Sequence, residues 1–156
     1  MATVFAHTEI NCIDWKKLCA FYEKVFGLTY ASDETDDVKG AWFEKLAGLP
    51  DAHVTGCKMD LPCYDDPAPQ IEFFTWEAPD DAPVRTIHAP GLGHLAFWVD
   101  TIEEKANEIL AEGGSMIGEI SGIYDAATDQ TLVLCYAKDP EGNNLELMQW
   151  KPGKVC

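Results

Sequence analysis

The chain has 156 residues, 47% of them hydrophobic and 24% charged, a composition typical of a globular protein with a real core. Its net charge is −16, and Arg85 is the only arginine. Because binding to a phosphate backbone needs clustered lysine and arginine, nucleic acid is a poor partner. The same shortage of cations weakens the case for a ligand with several phosphates or carboxylates and leaves a small, less anionic molecule as the expected partner.

The sequence also gives an expectation for location. No apolar run approaches the length of a membrane span, so no membrane association is expected. The first residues lack the basic segment and apolar core of a secretory signal. The six cysteines are scattered and show no CxxC spacing. We therefore predict a cytoplasmic protein with reduced thiols.

The first half of the chain predicts one helix among several strands. Asp14 is placed to cap a helix with an apolar stripe at 3/4 spacing, and Gly27 is placed to end it. Residues 32–39 read as an acidic loop and residues 41–49 as a helical turn. The predicted strands of this half cover residues 4–13, 28–31, 53–62 and 70–77.

The second half repeats this order after a proline-containing linker at 79–91. Thr101 and Glu104 have the spacing of a capping box that opens a helix, which Gly113 and Gly114 end. Strands are predicted at 93–99, 116–120, 131–137 and 144–150. The fold class is therefore α+β, with one βαβββ module at 1–78 and a second at 92–156. We expect Trp42, Phe43, Trp98 and Tyr136 to be core aromatics.

Two segments repeat each other in a way that suggests chemistry. Residues 71–76 and 145–150 both read apolar-Glu-apolar-apolar-polar-Trp, which places Glu72 and Glu146 at matching positions. A histidine near the first strand of each half precedes them, His7 in one and His94 in the other. If each half forms a curled sheet, its first and last strands lie side by side and present both side chains to one concavity.

These four side chains predict a metal site. A lone histidine in an apolar strand is more often a hydrogen-bonded core residue, and a lone glutamate in an edge strand usually faces solvent. Four donors at matching places in two copies favour a cation instead. A carboxylate within an apolar strand also needs a partner, since burying it alone is costly. His7, Glu72, His94 and Glu146 are thus the predicted ligands, and the mixed N/O set suits nickel, zinc, cobalt, manganese or iron as the divalent ion.

The same residues, with their neighbours, resemble the vicinal oxygen chelate superfamily, which includes glyoxalase I, epimerases, extradiol dioxygenases and bleomycin-binding proteins. The resemblance extends over nearly the whole chain. The segments that show it are His7–Asn11, Phe21–Leu28, Gly93–Asp100 and Asp139–Leu147.

The resemblance implies paired βαβββ modules, with curled mixed sheets around a metal cleft, and usually a homodimer. Members similar to glyoxalase I use two histidines and two glutamates, which favours a lyase or isomerase that forms a metal-stabilised enediolate from a small α-hydroxycarbonyl compound. By the same resemblance Glu146 is the candidate base and Glu72 the alternative. Asn11 and Trp76 take the positions of substrate contacts, but they differ from the glutathione-contacting residues of some bacterial members.

Three other functions stay open at this point. A metal-dependent epimerase would return the proton to the carbon that lost it. An Fe²⁺ extradiol-type dioxygenase would need only two histidines and one glutamate. A non-catalytic binding protein of the bleomycin-resistance type would need no metal, and the presence of all four ligand residues argues against it.

Overall fold

A computed structural model describes residues 5–80 and 86–154. The chain divides into two compact units, Met1–Ala82 and Pro83–Cys156, called here the first and second units. The division falls inside the predicted linker at 79–91, of which residues 81–85 lie outside the described part, as does Val4 of the predicted first strand. Each described unit contains a mixed sheet and helix, which confirms the α+β class.

The first unit contains a five-stranded sheet in the order β1-β5-β4-β2, with β3 also paired to β4. Strands β1 and β5 are parallel neighbours, as expected if the first and last strands of a half lie side by side. The elements of this unit are β1 (His7–Asn11), α1 (Trp15–Phe26), β2 (Thr29–Tyr30), β3 (Asp36–Lys39), α2 (Ala41–Ala47), β4 (His53–Asp60) and β5 (Gln70–Trp76).

Helix α1 begins and ends where its local sequence predicts. The Asp14 side chain accepts a hydrogen bond from the backbone N–H of Lys17, and Gly27 takes the left-handed conformation at φ 73°. The apolar stripe of α1 is buried on the sheet, and the rings of Tyr22 and Phe73 lie 4.9 Å apart. This packing covers one face of the sheet and leaves the other to the candidate site.

The predicted acidic loop at 32–39 is wrong in its second half, because residues 36–39 form strand β3 along β4. Its charged residues are compatible with a strand there since β3 lies at the edge of the sheet, where charged side chains reach water. The helical turn expected at 41–49 is the short helix α2.

The second unit contains a four-stranded sheet in the order β6-β9-β8-β7, in which β6 and β9 are parallel. Its elements are β6 (Leu95–Trp98), α3 (Ile102–Ala111), β7 (Ser115–Asp125), β8 (Gln130–Lys138) and β9 (Asn144–Pro152). His94 lies just before β6. Strand β7 is longer than the predicted 116–120, because its second half is exposed and lacks the apolar alternation that marks a buried strand.

The capping box predicted at Thr101 is wrong. Thr101 occupies the N-cap position of α3, but its side chain makes no capping hydrogen bond. The backbone N–H of Ile102 instead donates to Oε1 of Gln149 on β9, at 3.1 Å. A distant side chain therefore caps this end of the helix, at a different backbone N–H from the one that a Thr101 side chain would engage. Within the described part of the chain, no helix is long and apolar enough to cross a membrane.

Candidate metal site

Strand pairing in the first unit brings a histidine and a glutamate together. In the register of β1 and β5, His7 lies opposite Gln70 and Glu9 opposite Glu72. Since side chains alternate between faces along a strand, His7, Glu9 and Glu72 share one face. Nε2 of His7 lies 3.3 Å from Oε2 of Glu72. Two of the predicted ligands therefore meet on the sheet face opposite α1.

Glu72 is held in an ionic environment. It is 8% exposed, and Nζ of Lys58 on the neighbouring strand β4 lies 3.6 Å from its Oε1. Burial and the nearby negative charge of Glu72 raise the pKa of Glu9. The pair of His7 and Glu72 is thus flanked by one cation, Lys58, and a second carboxylate, Glu9.

The second unit repeats the pair with different neighbours. Nε2 of His94 lies 3.2 Å from Oε2 of Glu146, and the rings of His94 and Tyr136 lie 5.4 Å apart. Tyr136 is opposite Glu146 in the register of β8 and β9. The carboxylate of Glu146 raises the pKa of Tyr136 through its charge and a hydrogen bond from the phenol. A neutral donor here occupies the position that Lys58 has in the first unit.

The donor chemistry of both pairs fits a divalent cation. Each pair offers one imidazole nitrogen and carboxylate oxygens, a set that suits first-row transition metals. Each unit supplies only one histidine and one glutamate of the predicted set. Over residues 5–80 and 86–154, no group of three or more His, Cys, Asp or Glu side chains is clustered so that it could hold a metal ion. A four-ligand shell would require the two pairs to meet.

The two predicted substrate-binding residues contact each other. Nε1 of Trp76 donates a hydrogen bond to Oδ1 of Asn11 at 2.7 Å. Phe43 of α2 stacks on Trp76 with ring centroids 5.7 Å apart. Both Asn11 and Trp76 lie four residues beyond a predicted ligand on the same strand. They therefore share its face at a distance of about 13 Å along the strand.

The second unit has an aromatic pair at the corresponding positions. Trp98 and Trp150 follow His94 and Glu146 by four residues, and their rings stack at 6.4 Å. The prediction that Trp98 is a core aromatic is wrong, since it is 60% exposed. Trp42, at 63%, is also exposed, and Tyr136 lies on the face of Glu146. Hydrophobicity alone predicts a core position for side chains of this size. It does not reveal the face of the strand or helix on which they lie.

Sequence reasoning missed three polar neighbours of the pairs: Glu9, Lys58 and Tyr136. The period of two along a strand is a signal for Glu9, because it stands two residues after His7. No local signal exists for Lys58 and Tyr136. Their positions follow from the registers of β4 with β5 and of β8 with β9, which join residues far apart in the chain.

A second polar cluster lies elsewhere in the first unit. Nδ1 of His53 lies 2.7 Å from Glu77, and Nε2 lies 2.7 Å from Asp37 on β3. These two carboxylates raise the pKa of His53. His53 and Glu77, with Thr55 and Thr75, line a cavity of about 230 Å³. Both ring nitrogens of His53 are engaged, so the cluster ties strands together and leaves no imidazole nitrogen for a metal.

The fold and the paired donors define a class of protein with known members. Residues 4–147 match the family model of the Glyoxalase/Bleomycin resistance protein/Dioxygenase superfamily. The chain belongs to this superfamily, which confirms the resemblance drawn from its sequence. A comparison with curated proteins finds no match.

Solved structures share the fold at low sequence identity. A glyoxalase family protein from Bacillus cereus is 20% identical with a TM-score of 0.77, and the match covers 96% of this chain and 95% of that one. A glyoxalase I mutant from Zea mays is 21% identical with a TM-score of 0.63, over 91% of this chain and 43% of the maize chain. The fosfomycin resistance protein FosX from Listeria monocytogenes, complexed with Mn(II) and sulfate, is 17% identical with a TM-score of 0.57, over 99% and 96%.

Proposed function

We propose that the protein is a divalent-metal-dependent lyase or isomerase that acts on a small α-hydroxycarbonyl compound. The observation that carries the proposal is the duplicated donor pair. His7 with Glu72 and His94 with Glu146 each bring an imidazole nitrogen within 3.3 Å of a carboxylate oxygen. Membership of the superfamily and the Mn(II) complex of the Listeria relative support a metal-dependent reaction.

The four side chains would hold one cation when the two pairs meet. Two carboxylates match the charge of a divalent ion, and two imidazoles complete a set suited to nickel, zinc, cobalt, manganese or iron. The bound cation would supply a Lewis acid that polarises the substrate carbonyl and stabilises an enediolate. The protein has to orient the substrate and move a proton between adjacent carbons.

Glu146 is the residue that we propose as the base, with Glu72 as the alternative. Lys58 lies 3.6 Å from Glu72, and the attraction between the two charges holds this carboxylate in place. Glu146 faces the neutral phenol of Tyr136 instead. A carboxylate held by a hydrogen bond, and not by a charged amine, is better placed to take a proton from substrate carbon and to return it.

Asn11 and Trp76 would contact the part of the substrate distant from the reacting carbons. Their hydrogen bond and the stacked Phe43 form a mainly aromatic wall about 13 Å along the strands from the donors. Such a wall favours an apolar or planar group. With only 11 basic residues in the chain, an anionic conjugate such as glutathione is disfavoured.

The test is proton exchange in deuterated water. The purified protein is treated with EDTA, dialysed and supplied with Ni²⁺ or Zn²⁺, then incubated with a panel of α-hydroxycarbonyl compounds. We expect metal-dependent incorporation of deuterium at the carbon next to the carbonyl, detected by proton NMR. Exchange that is equal with and without metal would contradict the proposal.

We also propose that the protein works as a homodimer in the cytoplasm. In such a dimer, the two donor pairs of one site come either from one chain or from two different chains. A mixture of two inactive variants separates these cases. One carries His7→Ala with Glu72→Gln, the other His94→Ala with Glu146→Gln. Activity restored by co-expression means that a site takes its pairs from different chains, whereas no restoration in mixed dimers means that both pairs come from one chain.

A further inference from the structure

Two buried cysteines lie against each other in the first unit, away from the candidate metal site. Sγ of Cys19 on α1 and Sγ of Cys57 on β4 are 3.2 Å apart. Both residues are buried, with exposures of 0% and 2%. Side chains alternate along β4, so Cys57 points to the helix side of the sheet, while Lys58 points to the side of Glu72.

This geometry is close to that of a covalent bond. A disulfide needs a sulfur–sulfur distance of about 2.05 Å, so the two atoms have to approach by only about 1 Å. Small rotations of the two side chains shorten this distance. We propose that Cys19 and Cys57 are a redox modification site, at which the first unit forms a reversible disulfide between α1 and β4.

The environment gives the two thiols different roles. The two thiols share a hydrogen bond in which either sulfur can donate, and with Cys19 as the donor this bond lowers the pKa of Cys57. The same bond, together with burial, raises the pKa of Cys19. Cys57 is also the less buried of the two thiols, at 2% exposed against 0% for Cys19, and we assign it the first reaction with an oxidant.

The oxidation balances with a peroxide as oxidant. The Cys57 thiolate attacks one peroxide oxygen, gives a sulfenic acid and releases hydroxide, which takes up the Cys57 proton as water. The Cys19 sulfur then attacks the Cys57 sulfur, its proton leaves with the hydroxyl group as a second water, and the S–S bond forms. Two thiols lose two electrons, and one hydrogen peroxide becomes two waters.

A cavity that can hold a small oxidant lies near this site. Thr55 precedes Cys57 by two residues on β4 and shares its face, which places the two about 7 Å apart along the strand. Thr55 and Thr75 line the cavity of about 230 Å³, which is large enough for a peroxide molecule. Local opening of the buried layer would bring an oxidant from this cavity to Cys57.

The second unit provides an internal comparison. Cys135 pairs with Leu147, one residue after Glu146, as Cys57 pairs with Phe73, one residue after Glu72. The helix position that matches Cys19, five residues after the N-cap, is Ala106. Burial raises the pKa of Cys135 to about 11. The second unit thus has a buried cysteine at the same place on its sheet but an alanine where the first unit has its partner.

The experiment maps thiols in the full-length protein before and after hydrogen peroxide. The protein is reduced, exposed to peroxide for up to several hours, denatured, alkylated and digested with trypsin. Each cysteine falls in a different tryptic peptide, with Cys19 in 18–24 and Cys57 in 46–58. We expect a disulfide-linked pair of these two peptides, which dithiothreitol separates, and an alkylated Cys135.

Two variants complete the test. Cys19→Ala, which copies the Ala106 arrangement, should lose the linked peptides, whereas Cys135→Ala should keep them. Because the bond closes a long loop, oxidation should raise the melting temperature of the wild type by about 5 to 15 °C and leave Cys19→Ala unchanged. Recovery of separately alkylated Cys19 and Cys57 after peroxide, or linkage of either one to Cys12, would overturn the proposal.

Discussion

The two units place the same donors in the same registers but surround them differently. In the first unit Glu72 has Lys58 at 3.6 Å and Glu9 directly opposite on β1. In the second unit Tyr136 occupies the register position of Lys58, and Ala96 occupies that of Glu9. The pair of His7 and Glu72 therefore has charged neighbours, whereas the pair of His94 and Glu146 has neutral ones.

We interpret this difference as a division of the proposed reaction between the two halves of a duplicated fold. The strand registers keep the histidine and glutamate in place, and substitutions on the neighbouring strands set the environment of each carboxylate. We interpret Glu72 as the fixed ligand and Glu146 as the ligand that also carries protons. The predictions that follow test this division.

The largest expected effect separates the two glutamates. Glu146→Gln should lower turnover by a factor of about 10² to 10⁴ while the protein keeps its metal, because a general base is lost and an amide oxygen still binds the cation. Glu72→Gln should also keep an amide oxygen on the cation, and its turnover in excess metal should stay close to that of the wild type because the proposed base is intact. Turnover and metal content are measured on both variants. A Glu146→Gln protein with normal turnover would remove Glu146 from the role of base.

A smaller effect is expected at the aromatic walls. Trp76→Ala and Trp150→Ala each remove a stacked ring four residues beyond a donor glutamate. If both walls contact the substrate, each change should raise KM about fivefold with kcat nearly unchanged, since stacking contributes about 1 kcal/mol. Exposed Trp42 is the matched control, and Trp42→Ala should leave KM within twofold. A KM unaffected by either wall variant would contradict the proposed substrate contacts.

A few-fold effect should distinguish the two neighbours of the glutamates. Lys58→Met removes a positive charge beside Glu72 and should tighten metal binding about two- to tenfold, because the cation no longer repels the metal. Tyr136→Phe removes no charge and should leave the affinity within about twofold. Calorimetric titration with Zn²⁺ measures both. Equal effects of the two changes would show that the charge contrast between the units is unimportant.

The smallest expected effect is a pH dependence of stability that comes from the His53 cluster of the first unit. The carboxylates of Glu77 and Asp37 raise the pKa of His53. The ion pairs of His53 therefore stabilise the fold fully below about pH 6.5, the ordinary pKa of histidine, and this stabilisation is lost as the pH rises through the raised pKa of His53. The hydrogen bond from His53 lowers the pKa of Asp37, so that contribution is lost only in strong acid. Thr131 occupies the matching position in the second unit.

His53→Gln should therefore lower the melting temperature more at pH 5.5 than at pH 9. The cluster is near the surface, where ion pairs contribute little, so the difference should be about 1 to 3 °C. Lys39 also contacts Asp37, and Lys39→Gln controls for the loss of a surface charge. A destabilisation by His53→Gln that is the same at both pH values would rule out this assignment.

Local sequence signals predicted much of the fold. Asp14 and Gly27 bound α1 because a cap and a left-handed turn depend on residues close in sequence. The repeated apolar-Glu-apolar-apolar-polar-Trp segment located both glutamates on last strands. The β1–β5 and β6–β9 pairings followed from the expected closure of each half.

Features that depend on long-range pairing could not be predicted in the same way. Strand β3 is visible only through its pairing with β4, and the cap of α3 comes from Gln149, 47 residues away. The neighbours Lys58 and Tyr136, and the contact of Cys19 with Cys57, also depend on strand register and helix packing. Nothing in the local sequence around these residues specifies their partners.

The central claim is that His7, Glu72, His94 and Glu146 bind one divalent cation. Metal content by elemental analysis, combined with Ni²⁺ titration of the EDTA-treated protein, tests this claim most directly when applied to His7→Ala and His94→Ala beside the wild type and His53→Ala. The account predicts one metal per chain in the wild type and His53→Ala, and a loss of at least tenfold in affinity in each of the other two. Full metal binding in either His7→Ala or His94→Ala would contradict it.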